Sequence, residues 1–340
     1  MSKLPVSKTK SQLLQILERL PEQKVAVIGD VILDRYVWGQ VERISPEAPV
    51  PVVEVQKTED RLGGAGNVVR NLRGLGVQVS CCALVGNDVE GEIVRKQLAE
   101  LGVSTNSVVT DSERPTSLKT RVIAHAQQVV RFDREQRHQA PRATADALAK
   151  AVEAEFSQSG AVILSDYGKG AISEAIMRKL HDAQTAGRLG LRGRPFLVDP
   201  HPSSYHLYGK ISIIKPNRKE AEKASGIDIE SREDAYAAAK RLLERWQAEM
   251  VMITLGEDGL VLVQGGLDPI YLETRAREVF DVSGAGDTVA AVFTAALATG
   301  AEARLAGELA NIAAGVVVAE VGTVSITTAA LKNAIDDAGL

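Results

Sequence analysis

The stretch Val279–Phe293, VFDVSGAGDTVAAVF, leads from a β-branched run through Ser283-Gly284-Ala285-Gly286 into an apolar helix, with Asp287 in the first helical turn. Glycine reaches backbone angles closed to other residues, and it has no side chain to hold a ligand away from the amides. The first N–H groups of a helix lack internal partners and carry the positive end of the dipole. A Gly-Ala-Gly entry into a helix therefore suits a phosphate or another anion. A carboxylate at the same mouth can accept the proton of a hydroxyl that attacks phosphorus. On spacing alone, a tight strand–helix turn with Asp287 stabilising the helix start explains the stretch equally well. Asp281 is open to the same two readings.

Outward from this stretch, apolar runs of four to seven residues recur, each closed by Gly, Pro or Asp: KVAVIGD, VSCCALVG, AVILSDYG, PFLVDP, ISIIKPN and MVMITLG. Continuous apolar runs suit strands buried on both faces, as in a parallel sheet. Helical patterns fall between them, at Ala65–Leu75, Glu90–Leu101, Ala143–Gln158, Ile172–Ala186 and Asp234–Trp246. The alternation predicts an α/β fold with a doubly wound, mainly parallel sheet flanked by helices. Ligands of such sheets bind beyond the carboxyl ends of the strands, where this chain puts Asp30, Asp166, Asp199, Asn217 and Thr254. Two stretches, 35–61 and 114–137, carry alternating β-branched residues and turn signals instead. They read as antiparallel strands added to the main sheet, forming a small lid. Ala186–Pro195 reads as a loop, and no repeat divides the chain, so residues 1–340 read as one domain with the lid inserted.

Composition narrows the partners. The chain has 340 residues with 40 Lys+Arg against 44 Asp+Glu, a formal charge of −4, which gives no reason to expect nucleic acid or an anionic membrane. The two cysteines, Cys81 and Cys82, are adjacent and sit in an apolar run, which suits a reducing cytoplasm. SQLLQILERL near the start reads as a short amphipathic helix rather than a signal peptide, and no apolar run reaches the roughly 18 residues of a membrane span.

Further motifs each carry two readings. RLGGAGN places Gly63, Gly64 and Gly66 before a helix whose first turn holds Asn67, a donor and acceptor suited to sugar hydroxyls or a simple cap. Asn217 and Glu220 have the spacing of a capping box, the better reading of the pair taken alone; the alternative is that they hold a metal-bound water beside phosphates. ITLGEDGLVLV is a strand, a turn and a strand, with Gly256 and Gly259 accounting for the turn. SDYGKG sets Asp166 and Lys169 at a strand end, either for a sugar or phosphate or as a surface ion pair. Arg121, Arg131 and Asp133 in the supposed lid either clamp a ligand or are exposed edge charges. Asn311 interrupts an apolar helix and needs a partner, in the packing or in a ligand. There is no GxxxxGK[ST], complete GxGxxG, HExxH or GxSxG, and the five histidines, His201 and His206 included, lack metal-site spacing.

The order of these motifs, GDVILD, GGAGN, NRKE, TLGEDG and then DVSGAGD, resembles the ribokinase-like (PfkB) carbohydrate kinases from about Lys24 to Val324. The resemblance implies an ATP-dependent sugar kinase in which Asp287 is the catalytic base and the Gly284, Ala285 and Gly286 amides form the anion hole. It further implies that Asp34, Gly63, Gly64 and Asn67 bind the sugar, and that Asn217 and Glu220 organise Mg2+ through water. Thr254, Gly256 and Asn311 would line the nucleotide pocket. Val282-Ser283 stands where two threonines are common in the family, a change that leaves the anion hole intact. A monovalent cation such as K+ and a homodimer through the lid strands are also family expectations.

GDVILDRYVWGQVERISPEAPVPVVEV, RLGGAGNVVRNL, TRVIAHAQQVVRFDRE and SDYGKG are similar to one subgroup of that family. Its members phosphorylate C1 of D-glycero-β-D-manno-heptose 7-phosphate on the route to lipopolysaccharide heptose. A substrate already carrying a phosphate calls for cations, and Arg131, Lys169 and Arg121 are the candidates. Many relatives join this kinase to a nucleotidyltransferase; the kinase pattern runs nearly to Leu340, so the kinase step alone is expected. The rivals are another PfkB sugar, a non-catalytic sugar or nucleotide sensor on the same fold, and, more distantly, a Rossmann oxidoreductase.

Overall fold

The computed structural model describes residues 6–125, 127–191, 193–275, 282–320 and 324–338; Asp281 lies outside them. Thirteen strands are found among the described residues: β1 (Lys24–Gly29), β2 (Val31–Ile44), β3 (Pro51–Gly64), β4 (Gln78–Gly86), β5 (Val108–Asp111), β6 (Leu118–Ala124), β7 (Gln127–Arg134), β8 (Ala161–Ser165), β9 (Phe196–Asp199), β10 (Ile213–Ile214), β11 (Met250–Thr254), β12 (Leu260–Gln264) and β13 (Ile270–Leu272). Nine form one sheet in the order β13-β12-β11-β10-β9-β8-β1-β4-β5. Every pair from β5 to β11 is parallel, and β12 and β13 close one edge antiparallel.

Both faces of this sheet are covered, which is why its strands read as unbroken apolar runs. Side chains alternate across a strand. Val25 and Val27 of β1, with Ala161 and Ile163 of β8, join one core with the helices Ala65–Gly74, Ala285–Ala298 and Ala303–Val317. Ala26 and Ile28, with Val162 and Leu164, join the opposite core with Arg142–Ser157, Glu174–Thr185 and Arg232–Trp246. The five helices expected between the strands are present with ends displaced by no more than two residues, and the one expected over SQLLQILERL runs Val6–Arg19. Register aligns the carboxyl ends: Gly29 pairs with Ser165, and Ser165 with Asp199, so Asp30, Asp166 and Asp199 emerge at one rim.

The second sheet is separate from the first and has the order β3-β2-β6-β7. β2 and β3 form a long antiparallel hairpin, as do β6 and β7, but the central β2–β6 pair is parallel. The expected antiparallel strands are there as two hairpins, but they are not added to the main sheet: they form a sheet of their own, joined through one parallel pair. Between β3 and β6 the chain returns to the main sheet through β4 and β5, and that crossover brings β6 back alongside β2 in the same direction. The base of β2 is buried and its far end exposed, while every residue of β7 is exposed. The base of the second sheet thus sits over the rim of the first.

Candidate active site

Helix Ala285–Ala298 begins after Gly284, whose φ of 84° is the left-handed conformation that the turn requires. Asp287 lies in the first turn and is only 4% exposed. Its carboxylate accepts a hydrogen bond at 2.6 Å from the Tyr167 hydroxyl and one at 2.8 Å from Asn67 Nδ2. Burial pushes the Asp287 pKa up from 3.8 to about 6; Asp199 adds to the rise, while the Tyr167 and Asn67 bonds and Lys215 oppose it. That value suits a group that must accept a proton near neutrality and release it again.

Each partner of Asp287 is held in turn. The Asn67 carbonyl accepts from Asn71 Nδ2, and Asn71 Oδ1 accepts from the Thr288 hydroxyl and the Ile326 amide, tying the two helices together. Asn67 Oδ1 is buried with no hydrogen-bond partner, so it is an acceptor open to a donor from a ligand. Tyr167 follows β8 in a loop shaped by Asp30, which accepts from the amides of Tyr167, Lys169 and Ala171 at 2.9, 2.9 and 3.0 Å. Asp166 accepts from the Gly168 amide and the Tyr208 hydroxyl, so its carboxylate fixes the same loop.

Beneath the helix mouth lies Lys215, 3% exposed, with Nζ 2.9 Å from Asp199 Oδ1. Burial works against its charge, but Asp199, with Glu220 and Asp287, holds the ammonium above its ordinary pKa. A Cβ on Gly286 would stand 3.4 Å from Lys215 Nζ; the glycine leaves the ammonium uncovered toward the helix mouth. A cavity of about 1000 Å³ opens here, and its lining includes Lys215, Asp199, Gly284–Asp287, Thr254, Gly256 and Asn311. Asn217 and Glu220, also in the lining, form the full capping box of helix Arg218–Ser225. Burial raises the Glu220 pKa, and the charge of Asp199 raises it further. Asn311 Nδ2 donates to the Glu273 carbonyl, so this asparagine serves both packing and cavity wall.

The remaining sequence candidates lie toward the second sheet. Asp34 on β2 forms a 2.6 Å ion pair with Arg121 on β6, and a Cβ on Gly63 would fall 2.1 Å from Asp34 Oδ2, so only glycine fits beside that carboxylate. Gly64 is the residue before helix Ala65–Gly74. Lys169 does not pair with Asp166; its ammonium is 2.7 Å from Glu135. Arg131 and Asp133 pair with each other at 3.1 Å on the exposed β7. Sequence reasoning missed Tyr167 and Lys215. The signal for Lys215 was a lysine closing the apolar run ISIIK, because a buried charge requires a partner and often a purpose.

Solved structures share this fold. The chain superposes on a ribokinase from Arabidopsis thaliana, complexed with ribose and ATP, with a TM-score of 0.73 at 21% identity, covering 92% of this chain and 98% of that one. It superposes on Escherichia coli phosphofructokinase-2, in complex with substrates and products, with a TM-score of 0.74 at 18% identity, covering 93% and 99%. The fold is ribokinase-like. Residues 22–330 match the pfkB family of carbohydrate kinases, and the chain belongs to that family. It is 44% identical over 315 residues to the bifunctional protein HldE of Desulfatibacillum aliphaticivorans, covering 92% of this chain and 63% of that protein. It is 42% identical over 320 residues to HldE of Pelobacter propionicus, covering 94% and 64%. The chain thus spans somewhat under two thirds of the length of these relatives.

Proposed function

We propose that the chain transfers the γ-phosphoryl group of ATP to the C1 hydroxyl of D-glycero-β-D-manno-heptose 7-phosphate, giving the 1,7-bisphosphate in cytoplasmic synthesis of ADP-heptose for the lipopolysaccharide core. The observation that carries the transfer is Asp287, pinned by Tyr167 and Asn67 at a helix mouth with its pKa raised to about 6. The choice of heptose is supported by the 42–44% identity to HldE proteins.

Phosphoryl transfer asks a protein mainly to position its substrates and to stabilise charge. The sugar rests against Asp34, Gly63, Gly64 and Asn67, with the unpartnered Asn67 Oδ1 accepting from one of its hydroxyls. Asp287 removes the proton of the C1 hydroxyl as its oxygen attacks the γ-phosphorus, and ADP leaves in line. The amides of Gly284 and Gly286 and the Lys215 ammonium stabilise the growing charge on the phosphoryl oxygens, while the Ala285 amide is turned to the Val282 carbonyl. The nucleotide occupies the cavity along Thr254, Gly256 and Asn311. Glu220 and Asn217 present oxygen donors in the lining of this cavity and would hold a divalent cation through water. Mg2+ bound there would supply charge neutralisation of the phosphates. The second sheet acts as a lid that excludes water, and its exposed strands pair two copies into a homodimer.

ADP release is to be measured with MgATP and a panel of D-glycero-β-D-manno-heptose 7-phosphate, ribose, fructose 6-phosphate and fructose 1-phosphate. Turnover confined to the heptose phosphate is expected. Turnover on another sugar alone would keep the kinase and remove the heptose; ATP binding with no turnover on any sugar would point to a sensor.

A further inference from the structure

One face of the second sheet carries an unusual set of charges. Register places Arg61, Asp34, Lys119 and Asp133 side by side across the four strands, and Glu59, Tyr36, Arg121 and Arg131 form the next row on the same face. Three of the four cations there form ion pairs within that face: Arg61 with Glu59 at 2.6 Å, Arg121 with Asp34 at 2.6 Å, and Arg131 with Asp133 at 3.1 Å. Among the described residues Lys119 has no carboxylate within ion-pairing distance. It is half-buried, and its ammonium lies 5.7 Å from the centroid of the Tyr167 ring, the ring whose hydroxyl donates to Asp287. One tyrosine therefore separates the Lys119 charge from the catalytic carboxylate.

Resting on the reading of the substrate as a sugar phosphate, we propose that Lys119 is the residue that recognises the phosphate already on that sugar, and so sets the preference for a phosphorylated substrate. A phosphate monoester is a dianion whose oxygens accept charge-assisted bonds from an ammonium. With its reacting hydroxyl at Asp287, such a substrate would extend past Tyr167 toward the second sheet, and Lys119 is the cation standing there with bonding capacity to spare. The sequence candidates for this task are each engaged elsewhere: Arg121 on Asp34, Arg131 on Asp133, and Lys169 on Glu135. The electrostatics agree with the geometry. Burial holds the Lys119 pKa below its ordinary value, with Lys169 and Arg121 adding repulsion and Asp34 and Asp133 partly offsetting it, and an incoming dianion would relieve that strain.

The test is calorimetric binding without ATP, so that no turnover is needed. Heptose 7-phosphate and its dephosphorylated heptose, then fructose 6-phosphate and fructose, are titrated into wild type, Lys119→Met and Lys119→Arg, each checked by thermal melt. Wild type should bind the phosphorylated member of at least one pair more tightly. Losing a hydrogen bond to a charged group should narrow that gap by about 10- to 100-fold in Lys119→Met, and Lys119→Arg should restore part of it. Affinity for ATP, titrated separately, should change less than about 3-fold, which a general loss of structure would not allow. A gap that persists in folded Lys119→Met overturns the role of Lys119 and leaves the sugar-phosphate reading standing. A gap seen only with fructose 6-phosphate, and lost in Lys119→Met, supports Lys119 while removing the heptose. No gap for either pair in wild type overturns both.

Discussion

Replacing Asp287 by Asn should separate catalysis from stability in opposite directions. The folded-state pKa of about 6 against an ordinary 3.8 means that ionising this buried carboxyl costs the native state about 3 kcal/mol relative to the unfolded chain. Because the folded pKa is the higher one, that cost is absent below about pH 3.8, grows as the pH rises, and is complete above about pH 6. Asparagine has the same shape and no charge, so at pH 8 the variant escapes the cost. It also has one acceptor oxygen where the carboxylate has two, so the Tyr167 hydroxyl and Asn67 Nδ2 cannot both be satisfied, a loss of about 1–2 kcal/mol. The net expectation at pH 8 is a variant about 1–2 kcal/mol more stable, which in a chain of this length raises Tm by about 1–3 °C. At pH 4 the advantage should vanish or reverse. Over the same substitution kcat should fall by at least ~10², the usual contribution of a positioned base. Melting curves at pH 4 and pH 8, with kcat at pH 8, read all three quantities. A Tm difference that is the same at both pH values would refute the buried charge, and near-normal kcat in folded protein would remove Asp287 as the base.

Two further expectations concern neighbours of Asp287. The profile of kcat/KM against pH should rise through an acid limb near pH 6 and level off above it. The Tyr167 bond holds the Asp287 pKa down, so Tyr167→Phe should move that limb to higher pH; a limb that stays in place would mean the titrating group is not Asp287. Lys215→Met strands Asp199 without its ammonium and should destabilise the fold by about 3 kcal/mol. Adding Asp199→Asn should recover most of the stability, measured by denaturant titration, but not the activity. Recovered turnover in that double variant would show that Lys215 serves only the ion pair.

The parallel sheet was legible because its strands are buried on both faces, so each writes an unbroken apolar run, as AVILS of β8 does. The helix start at Gly284–Asp287 was legible as a turn, but its glycines and acid fit a tight turn and an anion site equally well, and only the resemblance to the PfkB kinases chose between them. The second sheet was seen as strands, but its parallel β2–β6 pairing depends on how the chain passes through β4 and β5, a long-range fact that alternation cannot record. Tyr167 escaped notice because its role comes from a hydrogen bond 120 residues away in sequence. Lys169 was in plain view, but its partner Glu135 belongs to a segment brought near only by folding. Local pattern records burial and turns; it does not record which charge meets which.

The central claim, transfer to C1 of a heptose 7-phosphate, is tested most directly by phosphorus NMR of the products. The protein is incubated with MgATP and D-glycero-β-D-manno-heptose 7-phosphate, and the site of the new phosphate is read from its coupling to the sugar protons. A new signal coupled to the anomeric proton is expected, with the 7-phosphate retained and one ADP formed for each. A new phosphate at any other carbon, or none while another sugar is consumed, would contradict it.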